Sequence, residues 1–366
     1  MASRNNTLKA VLVRERGVQA VPEAGIFELN LPDGTKIVAL GNTMFPNYDK
    51  GALKLIMQYL EEKRPEVVIL LGHMVDEDAF VALDGKNKNF LHKLKDSPEF
   101  AQAAAKIGFE HKVLELGRLS GEFIKQFTQF GATVFYIPAW SNFGLSSELG
   151  VMEFIHRKKD FLDSWAEDHP KATVLSSDPS ISLPTEIDQL FGIAELDNIQ
   201  TLPFGAAIKV NDRTLFLDGS FRRRQPGDAS LEEWAQRGYS IVISPDGKSA
   251  SAWWTDTQET FPHVKYNHYQ AHELGYLWDR KRMGHGGDYH RRAQSFGSWT
   301  IFSDILFGQT IPFIPGDDGR RSIFVDGKGY TEETPGGLMN GGILQLASSD
   351  SPKPPTASRT RKGRGS

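Results

Sequence analysis

The sequence predicts an α/β protein in which two β-sheets pack face to face with helices outside them. Two apolar runs, Lys36–Gly41 and Pro65–Gly72, show no polar alternation, stop at a glycine and continue into a polar loop. Runs of this kind are typical of strands that are covered on both faces. From Ile199 onwards the apolar period changes to two, so the second half is mostly β-structure. A β-α-β half followed by a strand-rich half indicates two layered sheets.

The first β-α-β unit is the clearest element. Apolar residues between the two runs follow helical spacing at Leu53, Ile56, Met57 and Leu60, and the helix must end before Pro65. We expect the crossover to be right-handed. A helical region broken at Gly108 follows, and then a third apolar strand at 132–138.

The later elements are shorter. We expect helices at 151–165, 186–191 and 231–236, and strands at 206–210, 214–217, 239–243, 250–254, 299–307 and 322–325. Residues 256–300 are rich in aromatic side chains and histidine but carry few periodic signals. The predicted organisation is an N-terminal extension at 1–35, a main domain at 36–255, completing strands and loops at 256–330, and a low-complexity basic tail at 331–366.

Composition excludes several classes of function. The chain of 366 residues is 39% hydrophobic with a formal net charge of −4, which argues against a generally basic nucleic-acid binder. It contains no cysteine, and therefore no disulfide, thiolate nucleophile or cysteine metal site. We find no signal-like or membrane-spanning apolar run, and expect synthesis in the cytoplasm without membrane contact.

Five loops follow predicted strands, where open α/β sheets place their ligands. They are Gly41-Asn42-Thr43-Met44, Gly72-His73, Ala139-Trp140-Ser141-Asn142, Asp218-Gly219 and Ser244-Pro245-Asp246-Gly247. Their order and spacing resemble the calcineurin-like metallophosphoesterases, whose motifs are D-x-H, G-D, G-N-H-D/E, H-G and G-H-x-H. The resemblance covers residues 36–255 and rests on strand context, because the motif letters are lost.

The family's functional positions carry other residues in this chain. The resemblance places the first motif's aspartate and histidine at Asn42 and Met44, and the bridging aspartate at His73. The third motif's asparagine and histidine fall on Trp140 and Ser141, although a shift of one residue puts Asn142 nearer the asparagine. The fourth motif's histidine and the two histidines of the last fall on Asp218, Pro245 and Gly247.

In the family these positions hold two metal ions that activate hydroxide. Asn42 lacks a carboxylate charge, Met44 suits soft metals, and His73 cannot bridge two ions as an aspartate does. We therefore expect no metal, no cofactor and no catalytic residue. Clustered carboxylates without metal repel one another. A protein that no longer binds metal is therefore stabilised when neutral side chains replace them.

Other signals have alternative interpretations. His263, His268, His272, His285 and His290 fall in one segment, and His268 with His272 would form a zinc-binding pair only on a helix, which the neighbouring residues do not favour. Asp76, Glu77 and Asp78 are interpreted as a solvated loop. Trp253, Trp254 and Trp140 are expected to be core or interface anchors.

Basic residues are the candidate partner-binding sites: Arg222, Arg223, Arg224, Arg359, Arg361, Lys362 and Arg364. They suit DNA, phosphate or an acidic protein surface, or simply exposed salt bridges. Two further segments, 272–276 and 296–299, are similar to the C-terminal region of phage-encoded phosphoesterases. The resemblance implies a non-enzymatic pseudoenzyme in a bacteriophage virion, in tail or capsid, that binds virion proteins and copies of itself. The alternatives are a phosphoesterase or nuclease with an unconventional metal site that uses His73, Asp218 and the histidines after residue 263, and a module in which the cleft and its arginines bind a phosphate-bearing ligand.

Overall fold

The computed structural model describes the chain at residues 9–11, 25–76, 109–139, 151–153, 155–157, 159–160, 181–211, 213–218, 228–237, 239–244, 249–260, 263–278, 293–316 and 320–332. One sheet contains the strands β3 Lys36–Gly41, β4 Val67–Gly72, β5 Thr133–Pro138, β6 Ile199–Thr201, β12 Ser295–Phe302 and β13 Ile305–Pro312. These six strands lie in the order β13-β12-β3-β4-β5-β6. Strands β3 to β6 are parallel, and the hairpin β12–β13 is added antiparallel beside β3.

The second sheet contains the strands β1 Lys9–Val11, β2 Ile26–Leu29, β7 Ala207–Val210, β8 Thr214–Leu217, β9 Ser240–Ile243, β10 Ala250–Thr260 and β11 His263–Glu273. These seven strands lie in the order β1-β2-β7-β8-β9-β11-β10. A small third sheet contains β14 Ile314–Pro315, β15 Arg321–Val325 and β16 Lys328–Thr331. The N-terminal extension pairs locally, β1 with β2, and β2 also runs parallel to β7.

The two large sheets pack face to face. Ile37, Ile69 and Phe135 point from the six-stranded sheet towards Phe216 and Val242 of the seven-stranded sheet, and all are buried. The alternate residues of β3, β4 and β5 are buried on the opposite face beneath helices. Both faces of these strands are therefore covered, which explains their unbroken apolar runs and confirms the α/β two-sheet sandwich.

Among the residues that the structure describes, helices lie outside the sheets at α1 Lys50–Lys63, α2 Phe109–Lys125, α3 Ile187–Phe191 and α4 Asp228–Arg237. Helix α1 begins at Asp49, whose Oδ1 accepts from the backbone N–H groups of Gly51 and Ala52, and it ends at Arg64 in the left-handed region. Helical backbone also occurs at 151–153, 155–157 and 159–160. None of the helices in the described ranges is long and apolar enough to cross a membrane.

One prediction in the C-terminal half is wrong. The segment 299–307, expected to be one strand, is a hairpin that turns at Ser303 and Asp304, both with positive φ (50° and 62°). The segment 256–300, which carries few periodic signals in the sequence, contains β11, and β10 continues into it as far as Thr260. The polar and aromatic side chains of these strands carry no period-2 signal, and their regularity comes from cross-strand pairing instead.

Candidate functional site at the strand ends

The strand-end loops converge around Asn42, the first residue after β3. Asn42 is 4% exposed, and its side chain connects three loops. Its Nδ2 donates to Ser244 O (3.2 Å) and to Ser244 Oγ (3.0 Å), and its Oδ1 accepts from His73 N (3.2 Å). Ser244 follows β9 and His73 follows β4, so one amide group holds together the ends of both large sheets.

The backbone of Asn42 extends the same junction. Its N–H donates to Leu71 O (3.2 Å), and its carbonyl accepts from Leu277 N (3.0 Å). Its φ of 46° lies in the left-handed region, which asparagine tolerates better than most residues. Both polar atoms of the side chain are hydrogen-bonded, because Nδ2 donates to acceptors and Oδ1 accepts from a donor. An aspartate here would direct a carboxylate oxygen at the Ser244 carbonyl.

Two glycines make this close approach possible. A Cβ on Gly41 would lie 1.8 Å from Ser244 Oγ, and a Cβ on Gly72 would lie 2.9 Å from both Asn42 Oδ1 and Asp218 Oδ1. Gly72 also has a φ of +74°. Asp218, which follows β8, therefore reaches the same point as Asn42 and His73. Four of the five predicted loops meet at this junction.

Met44 is placed by the same loops but faces a different environment. It is 7% exposed in a cluster with Tyr276 and Trp278, whose rings lie 5.1 Å apart. Its N–H donates to His73 O (3.0 Å), and its φ is 58°. Its side chain is buried in one cluster with two aromatic side chains, an environment that suits a thioether. The side chain at the family's histidine position thus has a packing role.

Several predicted site residues lie outside the described residues. They are Trp140, Ser141, Pro245, Gly247, Arg222, Arg223, Arg224, Arg359, Arg361, Lys362 and Arg364, together with Glu77, Asp78, His285 and His290.

Asp76 was predicted to be solvated, and that prediction is wrong. It is 6% exposed, its carboxylate accepts from Asn47 Nδ2, and its N–H donates to Phe45 O (2.8 Å). The loop after β4 pairs with the loop after β3 through the bridge Phe45–Val75, and this pairing draws Asp76 inside.

The histidine pair lies on strand β11, not on a helix. Four strand residues span about 13 Å, so His268 and His272 cannot share one ion. His268 is exposed and its Nδ1 lies 2.9 Å from Thr255 Oγ1. His272 is fully buried, with Nδ1 2.9 Å from Ser251 Oγ and Nε2 3.0 Å from Gln270 Oε1. Burial lowers its pKa to about 4, so it is a neutral core residue at pH 7.

The donor set does not fit a pair of metal ions. Among the described family positions only Asp218 is acidic, and no group of three or more His, Cys, Asp or Glu side chains within the described ranges is arranged to hold a metal ion. The amide of Asn42 is used in hydrogen bonds to Ser244 and His73. The residues therefore fit a structural junction better than a dinuclear hydrolytic centre.

Sequence reasoning missed two residues that complete the region. Ser244 was read only as part of a loop, yet it is the acceptor that Asn42 binds. Gln294 donates to Asp49 Oδ2 (3.0 Å) and to Trp278 O (3.2 Å), and so fixes the segment that carries Leu277. No local sequence pattern marks either residue. Ser244 binds Asn42 across 202 positions of the chain, and Gln294 binds Asp49 across 245 positions from a segment without regular structure.

No protein-family model matches the chain, and no curated protein matches it. Solved structures that resemble it include Vps29 of Chaetomium thermophilum, at 9% identity over 83% of this chain and 100% of that chain, with a TM-score of 0.35. A single mutant of Vps29 from Entamoeba histolytica is 8% identical over 81% of this chain and 97% of that chain, with a TM-score of 0.32. Vacuolar Protein Sorting 29 of Cryptosporidium parvum is 10% identical over 82% and 96%, with a TM-score of 0.31.

Proposed function

We propose that the protein is a non-enzymatic structural protein whose strand-end junction stabilises the packing of its two sheets. The observation that carries this proposal is Asn42, whose Nδ2 donates to two atoms of Ser244 at 3.0 and 3.2 Å. An ionised, metal-binding carboxylate at this position could not donate to the Ser244 carbonyl, because it has no proton, and it could contact Ser244 Oγ only by accepting from the hydroxyl.

The surrounding residues support the same conclusion. Two-metal hydrolysis needs a carboxylate that bridges both ions and further anionic or imidazole ligands around them. His73 stands at the bridging position, and Met44 is buried in a cluster with Tyr276 and Trp278. The junction has exchanged charged ligands for neutral groups that hydrogen-bond or pack. This exchange removes the repulsion that clustered carboxylates would cause without metal.

The finer proposal is a component of a bacteriophage virion, in its tail or capsid, that contacts other virion proteins and copies of itself. It is supported by the similarity of segments 272–276 and 296–299 to phage-encoded phosphoesterases, and by the basic tail. In the fold these segments are the exit of β11 beside the junction and part of β12, next to β3. The proposed location is the virion, after synthesis in the host cytoplasm.

A phosphoesterase or nuclease with a single, unconventional metal ion is the second candidate. It is favoured by Asp218 Oδ1, which lies beside Gly72 and Asn42, and by the position of His73, whose backbone N–H donates to Asn42 Oδ1. A carboxylate and an imidazole are two acceptable ligands, although one ion at this point would need donors beyond them.

Metal analysis with a hydrolysis assay separates the two candidates. The purified full chain is incubated with Mn²⁺, Zn²⁺ or Mg²⁺, and bound metal and turnover of bis(p-nitrophenyl) phosphate are measured. We expect less than 0.1 metal ion per chain and no turnover above the buffer control. Turnover that depends on Mn²⁺ and is abolished by His73→Ala, but not by His268→Ala, would establish the second candidate and reject the first.

The virion proposal needs its own measurement. Mass spectrometry of purified particles from cells that express the gene should find the protein at a fixed ratio to other particle proteins, even after a high-salt wash. If it is confined to the soluble fraction of infected cells, the virion proposal is wrong whatever the metal assay shows.

A further inference from the structure

Strand β10 is the outermost strand of the seven-stranded sheet, and no strand of the described residues lies beside its outer edge. It is eleven residues long, Ala250–Thr260, and every one of its residues is paired with β11. Within the described part of the chain, its backbone makes no backbone hydrogen bond outside that pairing. Long edges of this kind readily pair with another strand.

The backbone groups that face this edge can be identified from β11. The N–H of Gln270 donates to Ser240 Oγ on the side of β9 (3.0 Å), and so points away from β10. Trp253 lies opposite Gln270. In such a pair of an antiparallel ladder, both residues direct their backbone groups outwards, and the pattern repeats every second residue. The residues of β10 that offer N–H and C=O to a new strand are therefore Ser251, Trp253, Thr255, Thr257 and Glu259.

The devices that protect a sheet edge are found on β13 but not on β10. Edges are commonly protected by lysine, proline or a bulge. Strand β10 contains no lysine and no proline, and no bulge interrupts its pairing. On β13, the outermost strand of the six-stranded sheet, the N–H of Thr310 donates to Ser251 Oγ (3.2 Å), and the carbonyl of Leu306 accepts from Gln270 Nε2. The open edge is therefore that of β10.

Exposed aromatic side chains lie along the same edge. Trp253 on β10, Phe302 on β12 and Phe307 on β13 are 48%, 63% and 49% exposed. The rings of Trp253 and Phe307 lie 6.3 Å apart, and those of Phe302 and Phe307 lie 6.0 Å apart. We call these three residues the edge aromatic cluster. Because Trp253 belongs to β10 itself, a strand added to β10 would run past this cluster and cover part of it.

A second copy of β10 fits the edge. Antiparallel pairing with Thr255 opposite its own copy uses all eleven residues and places Trp253 opposite Thr257. Thr–Thr and aromatic–β-branched pairs are favourable across strands. Asp256 then lies opposite Trp254, whereas a two-fold axis at Asp256 would place two carboxylates opposite each other, which is unfavourable. The outward residues would form about ten backbone hydrogen bonds between the two copies.

The area also suits a dimer. Aromatic side chains bury about 150 to 250 Å² each, so the exposed parts of the edge aromatic cluster amount to roughly 350 Å². A strand of eleven residues is about 36 Å long and presents an edge about 10 Å high, or roughly 360 Å². The sum of about 700 Å² from each copy is close to the 800 Å² or so that a stable interface takes from each partner.

We infer that two copies of the chain associate by antiparallel pairing of their β10 strands about a two-fold axis at Thr255. The pairing joins the two seven-stranded sheets into one continuous sheet and covers the edge aromatic cluster. The same surface is used by both copies, so the assembly closes as a dimer. This inference rests on the proposed contact between copies of the chain, and on no other part of the proposed function.

Charge placed on the two-fold axis tests the pairing and its register. Thr255→Lys brings two lysines opposite each other only in the dimer, and should raise the dissociation constant about fivefold or more. Thr255→Glu should do the same, while an equimolar mixture of the two variants should restore the dimer. The matched control is His268→Lys, because His268 is exposed, lies opposite Thr255 on β11, and loses the same Thr255–His268 hydrogen bond.

Sedimentation equilibrium of the full-length variants measures the association. We expect the mass of two chains for the wild type and for His268→Lys at micromolar concentration. Phe307→Ser should weaken the dimer about tenfold, because apolar contact is lost, whereas Phe324→Ser, on β15 of the small sheet and 63% exposed, should not.

A wild type that stays a monomer would overturn the inference, and would leave the edge to a strand of another protein. An oligomer that Thr255→Lys does not weaken would overturn it as well. Either result is separate from the metal assay and the particle analysis, which test the rest of the proposed function.

Discussion

The side-chain nitrogen of Asn42 lies 3.0 Å from the hydroxyl oxygen of Ser244, although the two residues are 202 positions apart in the sequence. The bond crosses from the end of β3 in one sheet to the end of β9 in the other. Both groups are buried and neutral, so the bond costs no charge desolvation. Positions at strand ends are common ligand sites in open α/β sheets. In this protein the residue at that position joins the two sheets.

We expect Asn42→Asp to destabilise the protein by about 3 kcal/mol at pH 8, because an ionised carboxylate would face the Ser244 carbonyl with no proton to donate. Its pKa in the folded state should be raised above the unfolded value of about 3.9, so the stability lost by the variant grows as the pH rises through the raised pKa. Urea unfolding of variant and wild type at pH 4 and pH 8 checks this. Ser244→Ala, which removes one acceptor, should cost about 1 kcal/mol with no such pH dependence.

Gly72→Ala should cost about 2 kcal/mol more than Gly34→Ala in the free energy of unfolding. Both glycines have positive φ, +74° and +86°, so both substitutions carry the left-handed backbone penalty of about 1 kcal/mol. Only the Cβ at Gly72 would meet two oxygens at 2.9 Å, whereas the Cβ at Gly34 meets nothing within 4 Å. Equal losses in the two variants would show that the loops at Gly72 are not closely packed.

The buried His272 predicts a loss of stability in acid. Its pKa is about 4 in the folded protein, because burial disfavours the charged form, and about 6.5 in the unfolded chain. Between these values the unfolded chain binds more protons, so this contribution is complete above pH 6.5 and is lost as the pH falls to 4. The full loss is on the order of 3 kcal/mol. The free energy of unfolding, measured by chemical denaturation between pH 4 and pH 7, should change less with pH in His272→Gln than in the wild type. His268→Gln should keep the wild-type pH dependence.

Arg321 holds the small sheet to the start of helix α1. Its guanidinium donates to Asp49 Oδ2 and to Glu332 Oε1 (3.2 Å), and the Asp49 side chain is only 5% exposed. Arg321→Met should cost about 3 kcal/mol, because it leaves the Asp49 carboxylate buried with less compensation. Thermal unfolding of Arg321→Met, Asp49→Asn and the double variant should give a coupling energy between the two residues above about 1 kcal/mol. Lys328→Ala, which breaks an exposed pair with Glu62, should leave stability unchanged within error.

The sequence alone determined the strands that are buried on both faces. Strands β3, β4 and β5 were predicted because burial on both faces makes every residue apolar, and α1 because Leu53, Ile56, Met57 and Leu60 repeat at helical spacing. The turn at Ser303 and Asp304 escaped prediction because non-glycine residues there adopt positive φ. Strand β11 escaped because its residues carry no period-2 pattern.

The sequence also determined which side chains stand at the strand ends, and hence that Asn42, Met44 and His73 are poor ligands for paired metal ions. Only the tertiary structure decided what they do instead. It placed Ser244 against Asn42, buried Asp76 beside Asn47, and buried Met44 in a cluster with Tyr276 and Trp278. The physical reason is distance along the chain: a hydrogen bond between groups 202 positions apart depends on how two sheets stack, and no local pattern encodes that.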